Sequence, residues 1–412
     1  MKRFYLISFS FGCIFLFFSC NRNLKRENTI LPIAENKNVY IVDIDSIPKE
    51  KDIGYSSVFK KGKTIILETK DECIIGRIDG MQVFDDELFI MDNMTNSLLV
   101  FNKEGKFIRK IGAHGQGPGE YLNISDFTID PLKKEIYLLD PFSRKIYKYN
   151  IDTGNFINSI VIGNKNVSSS NIQYHQGKLF LDARPFTPMK NSYLLREIDP
   201  ESGRQLNAFL AANAYTYGWN GSMGKNGESY FCSKNSNAPK YNQIFMDTIV
   251  SIDSGQIVPF LAIKSKHWTD SKDIDYIKNY MNEHNQIIPA DFWNQKNKVH
   301  YIRRYIECKN WIHFEYIQGT NQYTVLYNII DKTARITESF LDDLTFPKFG
   351  LIHIIACSDS NGIYAYTQTH AAKLLVELAN TNQLAKDLDK RDELMKLSED
   401  SNPVVFYYEC KE

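Results

Sequence analysis

Hydrophobic and polar residues alternate in short runs along most of the chain, and the runs recur in the same order. Residues 83–112 read VFDDELFIMDNMTNSLLVFNKEGKFIRKIG, and residues 127–163 read FTIDPLKKEIYLLDPFSRKIYKYNIDTGNFINSIVIG. Each segment gives a polar turn, a short apolar strand, a loop, an alternating strand, a turn with glycine and a last strand. Asp92 and Asp140 occupy matching positions, 48 residues apart (140 − 92). A repeat of that length predicts the four-stranded blade of a β-propeller.

Weaker copies of the same pattern follow the first two. They cover residues 172–210, 221–263, 299–341 and 351–369. The strand PVVFYYECK (403–411) arrives late, and the N-terminal strands VYIVDI (39–44) and TIILET (64–69) have no blade of their own. We therefore predict an all-β, six-bladed β-propeller over residues 39–412, in which both N-terminal strands join PVVFYYECK to complete the ring. Closure by strands from both ends of the chain removes an edge that would otherwise pair with other chains.

Two segments break the β pattern and predict amphipathic helices inserted in loops, at about residues 270–290 and 370–398. The apolar residues at helical spacing are Ile274, Ile277 and Met281 in the first segment, and Leu374, Leu378, Leu384 and Leu388 in the second. Two interpretations remain open at this point. The helices either cover part of the propeller's rim or form a lid that shapes a binding site.

The N-terminus, MKRFYLISFSFGCIFLFFSC, is not part of the repeat pattern. Lys2 and Arg3 precede an apolar run from Phe4 to Phe18, which is shorter than the roughly 20 residues that span a bilayer. The Ser-Cys pair that ends at Cys20 resembles the lipobox of bacterial lipoproteins. That resemblance implies a signal peptide over residues 1–19 and acyl chains, palmitate among them, on Cys20. The alternatives are a plain secretory signal and an uncleaved anchor.

The residues after Cys20 predict a tether over residues 20–38, because they begin with the polar run NRNLKRE. Acidic residues after the lipidated cysteine are a feature of some surface-exported lipoproteins of Bacteroides-like bacteria. Here Arg22, Lys25 and Arg26 stand in that region, with Glu27 as the acidic residue. We therefore predict a lipid-anchored protein of the outer membrane whose domain faces the periplasm, with surface exposure as the alternative.

Charge and cysteine content narrow the possible functions. The 412 residues contain 49 Lys and Arg and 49 Asp and Glu, so the basic excess of a nucleic-acid-binding protein is missing. Beyond Cys20 the remaining cysteines are far apart and form no CxxC motif; they are Cys73, Cys232, Cys308, Cys357 and Cys410. We predict that most of these five are buried small apolar residues rather than zinc or redox sites, and an odd number cannot all pair within one chain.

Several stretches together resemble a known family. They are FFSC (17–20), SLLVFNKEGKFIRKIG (97–112), GQGPGEY (115–121), FTID with IYLLD and KIYKYN, and the late SNPVVFYYECK. The chain resembles the six-bladed β-propeller lipoproteins of Bacteroides-like bacteria, which are distant relatives of NHL-repeat propellers. The resemblance covers nearly the whole chain after Cys20 and is strongest over residues 76–163. It implies a fold and a place in the cell envelope more than it implies a reaction.

The glycine-rich stretch KIGAHGQGPGEY (110–121) raises the question of phosphate binding. It lacks the Lys-Ser/Thr pair and the following helix that a phosphate-binding loop requires. We predict instead that it crosses from one blade to the next. On that crossing, His114 and Glu120 either touch a ligand at the mouth of the axial channel or hold the loop in place. For Asp92 and Asp140, capping of local turns is the favoured role over ligand contact.

Later loops add Arg184, Trp219 and His370 as candidate ligand contacts, and no residue is assigned as a metal ligand. Some propeller enzymes, such as sugar-lactone hydrolases, hold a divalent metal with carboxylates and an asparagine, a ligand set that suits calcium. Two functions follow. The favoured one is a membrane-anchored binding or scaffold module for a glycan, peptide or protein. The alternative is a metal-dependent hydrolase or lyase, lactonase-like, that acts on a small or sugar-derived substrate.

Overall fold

The chain forms a ring of six blades, each an antiparallel sheet. We name the strands of a blade a to d from the axis outward. The computed structural model describes residues 30–31, 34, 38–60, 62–163, 167–185, 192–217, 230–232, 238–253, 255–284, 292, 296–347, 354–367 and 372–412. For residues 184, 185, 232, 281, 282 and 284 it describes the backbone alone.

Each blade is built from four strands in chain order, except the last. Blade 1 comprises Gly80–Phe84, Glu87–Asp92, Ser97–Asn102 and Phe107–Lys110. Blade 2 comprises Asp126–Asp130, Glu135–Asp140, Lys145–Asn150 and Phe156–Val161. Blade 3 comprises Ile172–His175, Lys178–Asp182, Tyr193–Ile198 and Gln205–Ala211. Blade 4 comprises Phe231–Cys232, Lys240–Tyr241, Thr248–Asp253 and Gln256–Lys264.

Blade 5 comprises Val299–Cys308, Trp311–Gln318, Asn321–Asn328 and Thr333–Leu341. In blade 6, strands a to c are Ile354–Ser358, Gly362–Tyr366 and Val404–Glu409, and strand d is the N-terminal strand Lys63–Ile66. The prediction of a six-bladed propeller is therefore confirmed. Closure of the ring by PVVFYYECK and TIILET is confirmed as well.

The N-terminal segment does more than close the ring. Its earlier strands Ile30–Leu31, Tyr40–Asp43 and Lys49–Gly54 add to blades 3, 4 and 5 in turn, each as a fifth strand parallel to strand d. We call these three strands the strap. The prediction that VYIVDI shares blade 6 is wrong, because Tyr40 packs against Phe260 and Tyr327 at blades 4 and 5 instead. The range predicted as a tether, residues 20–38, also includes the paired strand Ile30–Leu31.

The strands are more continuously apolar than a half-buried sheet would be. In blade 1, the four residues from Leu88 to Met91 are all buried, because each blade packs against a neighbour on both faces of its sheet. Lys148 is a polar exception within such a strand. It is 2% exposed, and its ammonium group reaches Glu201 of blade 3 at 2.9 Å, so that the charge is paired across the blade boundary.

Glycines fix how neighbouring blades meet. The c–d turn of blade 2 contains Gly154, which has a φ of +71°. A Cβ at Gly154 would lie 2.7 Å from the carbonyl oxygen of Lys110, at the end of blade 1. Gly105, in the c–d turn of blade 1, lies against the carbonyl of Ile66 in the same way. A side chain at either position would force the blades apart.

The helices lie in insertions between strands, and those described are α1 (Ala212–Tyr215), α2 (Ser271–His284), α3 (Ala372–Asn380) and α4 (Arg391–Leu394). Helix α2 buries Ile274 and Ile277 in a cluster with Phe245. Leu375 of α3 and Leu394 of α4 are buried in a cluster formed by blades 5 and 6. These contacts support the interpretation that the insertions cover the propeller rather than form a lid.

Short elements complete the described structure. Two 3₁₀ helices span Tyr55–Ser57 and Asp71–Cys73, and two small ladders pair Ala113–His114 with Glu120–Tyr121 and Val167–Ser168 with Arg184–Pro185. Within the described ranges, no helix is long and apolar enough to cross a membrane.

A disulfide joins Cys308, at the end of strand a of blade 5, to Cys410, which follows strand c of blade 6. Cys73 and Cys357 are free. All four of these cysteines are buried, as the sequence predicted for most of them. The sequence left their pairing open, and the propeller brings Cys308 and Cys410 together although they are 102 positions apart. The side chain of Cys232 lies outside the described residues.

Candidate functional site

One end of the blades carries those candidate ligand contacts from the sequence that the structure describes. Because successive strands reverse direction, the b–c turns and the connections from strand d to the next strand a lie at the same end, which we call the upper end. The described candidates on these segments are Asp92, His114, Glu120, Asp140 and Arg184. Trp219, His370 and the lipidation candidate Cys20 lie outside the described residues, and Arg184 is described by its backbone alone.

Asp92 ends strand b of blade 1 and is fully buried. Its carboxylate accepts hydrogen bonds from the backbone N–H of Gly76 (2.6 Å), Met94 (2.8 Å) and Thr95 (3.2 Å), and from the Thr95 hydroxyl (2.9 Å). Gly76 belongs to the connection that enters blade 1, whereas Met94 and Thr95 belong to the b–c turn. The carboxylate therefore ties the incoming connection to the turn.

Asp140 does the same in blade 2 and is also fully buried. It accepts hydrogen bonds from the backbone N–H of Leu122 (2.9 Å), Phe142 (2.9 Å) and Ser143 (3.1 Å). Leu122 lies on the connection that enters blade 2. In both blades the carboxylate oxygens are directed at backbone donors, which is the turn role that the sequence favoured.

The turns that these aspartates hold carry large apolar side chains into solvent. Met94 is 67% exposed and Phe142 is 77% exposed, and Ile74 and Leu122 on the incoming connections are 48% and 40% exposed. We call these four residues the upper apolar surface. Asn96 links its two halves, because its side chain donates to the Leu122 carbonyl (3.4 Å) and accepts from the Ile124 N–H (3.2 Å).

The glycine-rich crossing beside this surface is held by a contact of its own and by residues of blade 2. The Glu120 carboxylate accepts a hydrogen bond from the Gly117 N–H at 2.8 Å, and the Tyr149 hydroxyl donates to the Gly119 carbonyl at 2.8 Å. Gly119 has a φ of +77° and packs so closely on Phe156 that a Cβ would lie 2.6 Å from that ring. Glu120 thus fixes the loop, while His114 is exposed on it.

Two buried tyrosines support the crossing from below. The Tyr121 hydroxyl lies 3.2 Å from the Asn96 carbonyl oxygen, to which it donates. Burial raises the pKa of both Tyr121 and Tyr149 above the ordinary tyrosine range, so both hydroxyls remain protonated donors at physiological pH. The upper end of blades 1 and 2 is therefore a fixed scaffold under an exposed apolar surface.

Polar side chains on the inner strands join neighbouring blades near the axis. The Gln82 side chain donates to the Phe127 carbonyl (2.8 Å), Asp126 accepts from the Ile172 N–H (3.0 Å), and the Thr128 hydroxyl accepts from the Tyr174 N–H (2.9 Å). In blades 1 to 3, these side chains therefore hold the ring together. Among the described residues, no group of three His, Cys, Asp or Glu side chains is arranged to hold a metal ion.

A concave feature lies where the strap meets blade 4. It is an open cleft of about 560 Å³ whose lining includes Asp43, Asp45, Asp247, Lys264 and Trp268. The Asp45 carboxylate accepts from the Ser265 hydroxyl (3.0 Å) and the Lys266 N–H (2.7 Å), and the Trp268 indole N–H donates to the Phe245 carbonyl (3.0 Å). The cleft thus offers one fixed aromatic ring among charged groups.

Asp92 and Asp140 were identified from the sequence as candidate residues. Met94 and Phe142, the exposed apolar residues on the turns that these aspartates hold, were not identified. The signal that could have found Met94 and Phe142 is a shared spacing, because each follows its aspartate by two positions (Asp-Asn-Met and Asp-Pro-Phe). Arg184 follows Asp182 by the same two positions in blade 3. In blades 1 and 2 the side chain at this position is exposed, whereas the aspartate is buried.

The described residues define the class of protein before they define a family. It is a six-bladed propeller with a strap, and it exposes Ile74, Met94, Leu122 and Phe142 at the upper end of blades 1 and 2. Residues 39–409 match the family model described as a domain of unknown function, DUF4934. The chain belongs to this family. Comparison with curated proteins finds no match.

Two solved structures that are similar to this chain come from Bacteroides. A protein of Bacteroides fragilis described as exported superposes with a TM-score of 0.70 at 19% identity, covering 91% of this chain and 100% of that one. A member of the DUF4221 family from Bacteroides vulgatus gives a TM-score of 0.50 at 12% identity, covering 86% of this chain and 98% of that one. At these identities the similarity establishes the fold alone.

Proposed function

We propose that the protein is a membrane-anchored binding module that holds a protein or peptide partner on its upper apolar surface. The observation that carries this proposal is the exposure of Ile74, Met94, Leu122 and Phe142 together on turns fixed by buried aspartates. A contiguous exposed apolar surface on a soluble domain is typical of interaction sites. Methionine and phenylalanine are also among the residues enriched at protein interfaces.

The rigidity of the turns favours this function. Each turn is fixed by backbone hydrogen bonds to a buried carboxylate, so Met94 and Phe142 lose little backbone freedom when a partner covers them. A central aromatic residue of such a surface typically costs about 2 kcal/mol or more of binding energy when it is truncated. Phe142, the more exposed of the two, is our candidate for that anchor.

The envelope location is part of the proposal. Lipid attached to Cys20 would hold the domain at the outer membrane, facing the periplasm, and the exported protein of Bacteroides fragilis with the same fold is consistent with that location. The expected result for Cys20→Ala is release of the protein from membranes. A variant that stays with the membrane fraction after a salt wash would contradict lipid anchoring.

Site-specific photo-crosslinking in the native envelope tests the binding surface. A benzophenone amino acid at position 142 is expected to give a discrete protein adduct. The matched control is position 132, because Leu132 is also apolar and is 88% exposed, but lies in an a–b turn at the opposite end of blade 2. No adduct at position 142, or the same adduct at both positions, would contradict the proposal.

A glycan is the second candidate ligand, and the cleft at Trp268 is the observation that favours it. Aromatic rings stack on sugar faces while nearby charged groups bind hydroxyls. Binding to a glycan array that is lost in Trp268→Ala and kept in Phe142→Ser would assign the function to the cleft. A metal-dependent hydrolase or lyase is less well supported, because Asp92 and Asp140 bind backbone N–H groups; calorimetric titration with calcium tests it directly.

A further inference from the structure

The outer edge of blade 2 differs from the outer edges of most of the ring. Strand d of blades 3, 4 and 5 is covered by a strap strand, and strand d of blade 6 is itself supplied by the N-terminal segment. In the described part of the chain, strand d of blades 1 and 2 has no such cover. Among the residues from 30 onward that the structure describes, the row of added strands therefore ends at the boundary between blades 2 and 3.

The uncovered strand of blade 2 lacks the features that usually protect an edge. Phe156–Val161 reads FINSIV, with no charged residue. Phe156, Ile157 and Val161 are 40%, 45% and 64% exposed. Natural sheets protect an open edge with charges, prolines or short strands. Blade 1 follows this rule, because its edge strand has four residues and ends in Arg109 and Lys110.

The backbone of this strand presents donors outward. The Ile162 N–H donates to the carbonyl of Arg144, the residue before strand c. In an antiparallel pair, alternate residues point toward the partner. Val161 and Ser159 lie opposite Lys145 and Tyr147 as non-hydrogen-bonded pairs, so their N–H groups point away from blade 2.

In blades 3 and 4, an outer edge of the same kind pairs with an added parallel strand. Each has a one-residue bulge in strand d, as blade 2 has at Ile157. In blade 3 the strap pairs with Ala208 and Phe209 beyond the bulge, and in blade 4 it pairs with the residues from Leu261 to Lys264. The bulge therefore does not prevent addition of a parallel strand.

We propose that strand Phe156–Val161 binds an extended segment of a partner polypeptide, which adds to blade 2 as a fifth, parallel strand. The site continues the row of strap strands by one blade, so the bound segment should resemble the strap strand YIVD: short, without proline, and rich in β-branched and aromatic residues. Backbone hydrogen bonds would supply affinity, and alternate side chains would supply specificity. This surface is separate from the upper apolar surface and goes beyond the function proposed above.

A peptide with the strap's own sequence is the probe. The peptide NVYIVDI, residues 38–44 with a fluorophore at its N-terminus, would find its natural place on blade 4 already occupied. We expect it to bind the full chain in a polarisation titration. Ser159→Pro removes one outward N–H and should weaken binding about tenfold, whereas Ser159→Ala keeps that N–H and should bind within about twofold. Proline is tolerated where the missing N–H faces solvent.

Hydrogen exchange on the unmutated protein provides a readout that does not depend on folding of the proline variant. Saturating peptide should slow exchange in residues 156–161 and leave the edge of blade 1 unchanged. No binding, equal binding to both Ser159 variants, or protection confined to blade 1 would overturn the proposal. A concentration-dependent dimer in analytical ultracentrifugation, lost in Ser159→Pro, would also overturn it, because the occupant would then be a second copy of this chain.

Discussion

Removal of the disulfide between Cys308 and Cys410 tests how the ring is held closed. Blade 6 is assembled from both ends of the chain, so its three C-terminal strands depend on Lys63–Ile66 for their outer edge. The disulfide adds a covalent link from the end of strand c to blade 5. Both cysteines are buried, at 4% and 0% exposure, in the cluster that also contains Tyr408 and Phe340.

The size of the closed loop sets the expected magnitude. The two cysteines are 102 residues apart, and the chain-entropy estimate for a loop of that length is about 4.7 kcal/mol. Structure that persists in the unfolded chain reduces this figure, and measured disulfides typically contribute about 2–4 kcal/mol. We therefore expect Cys308→Ala with Cys410→Ala to lower the free energy of unfolding by about 2–4 kcal/mol.

Chemical unfolding followed by tryptophan fluorescence measures this difference. The matched control is Cys73→Ala with Cys357→Ala, which removes two buried sulfur atoms that are not bonded to each other. The control separates the effect of the crosslink from the effect of lost packing. If the two double variants were equally stable, or if reduction of the unmutated protein left its unfolding midpoint unchanged, the disulfide would not stabilise the ring.

Two further predictions concern buried groups. Asp140→Ala should lower the free energy of unfolding by about 2–3 kcal/mol, because three backbone N–H groups lose a charged acceptor; the exposed Asp152→Ala is the control, and equal losses would contradict the role. Burial lowers the pKa of His313 to about 4, below its unfolded value of about 6.5. The unfolded chain therefore takes up a proton first as the pH falls. Stability should be complete above pH 6.5 and decline toward pH 4 by up to about 1.4 kcal/mol per pH unit, with a flatter profile in His313→Gln.

The blades could be predicted from the sequence because a blade is a local unit. The repeat that contains Asp92 and the repeat that contains Asp140 each form all four strands within about 40 residues. Their turns are equally local: glycine at positions such as Gly154 both permits the φ and allows close contact with the preceding blade. The hydrophobic pattern predicts the fold correctly wherever a strand pairs with strands that are its neighbours in the sequence.

The strap was predicted only in part, because its partners are far away in the sequence. VYIVDI was recognised as a strand, but not the blade that it joins, and the other two strap strands were not recognised. Lys49–Gly54 carries four charged residues and shows no strand-like alternation, yet it pairs with the strand that contains Ile336, nearly three hundred residues away. Its charges suit its place, because it forms the outermost edge of blade 5 and protects that edge from other chains. The sequence shows these charges, but it does not show which strand Lys49–Gly54 pairs with.

The candidate site shows the same limit. A single exposed methionine or phenylalanine is ordinary on a protein surface, so neither Met94 nor Phe142 stands out in the sequence. They become a surface because two successive blades place equivalent turns side by side, and the link through Asn96 and Leu122 crosses from one blade to the next. Asp92 and Asp140 could be identified in the sequence because they recur at matching positions of two repeats. The exposed residues on the turns that they hold, Met94 and Phe142, differ between the repeats and could not be identified in this way.

The open edge and the upper apolar surface fall on the same part of the ring, and the construction of the chain explains why. Blades 3 to 6 all take a strand from the N-terminal segment, so their outer edges are used in holding the protein together. The edges of blades 1 and 2 are not needed for closure, and Asp92 and Asp140 fix the turns of these blades locally. Apolar residues exposed on blades 1 and 2 therefore serve neither closure nor the core, which is the physical reason to look for partners there.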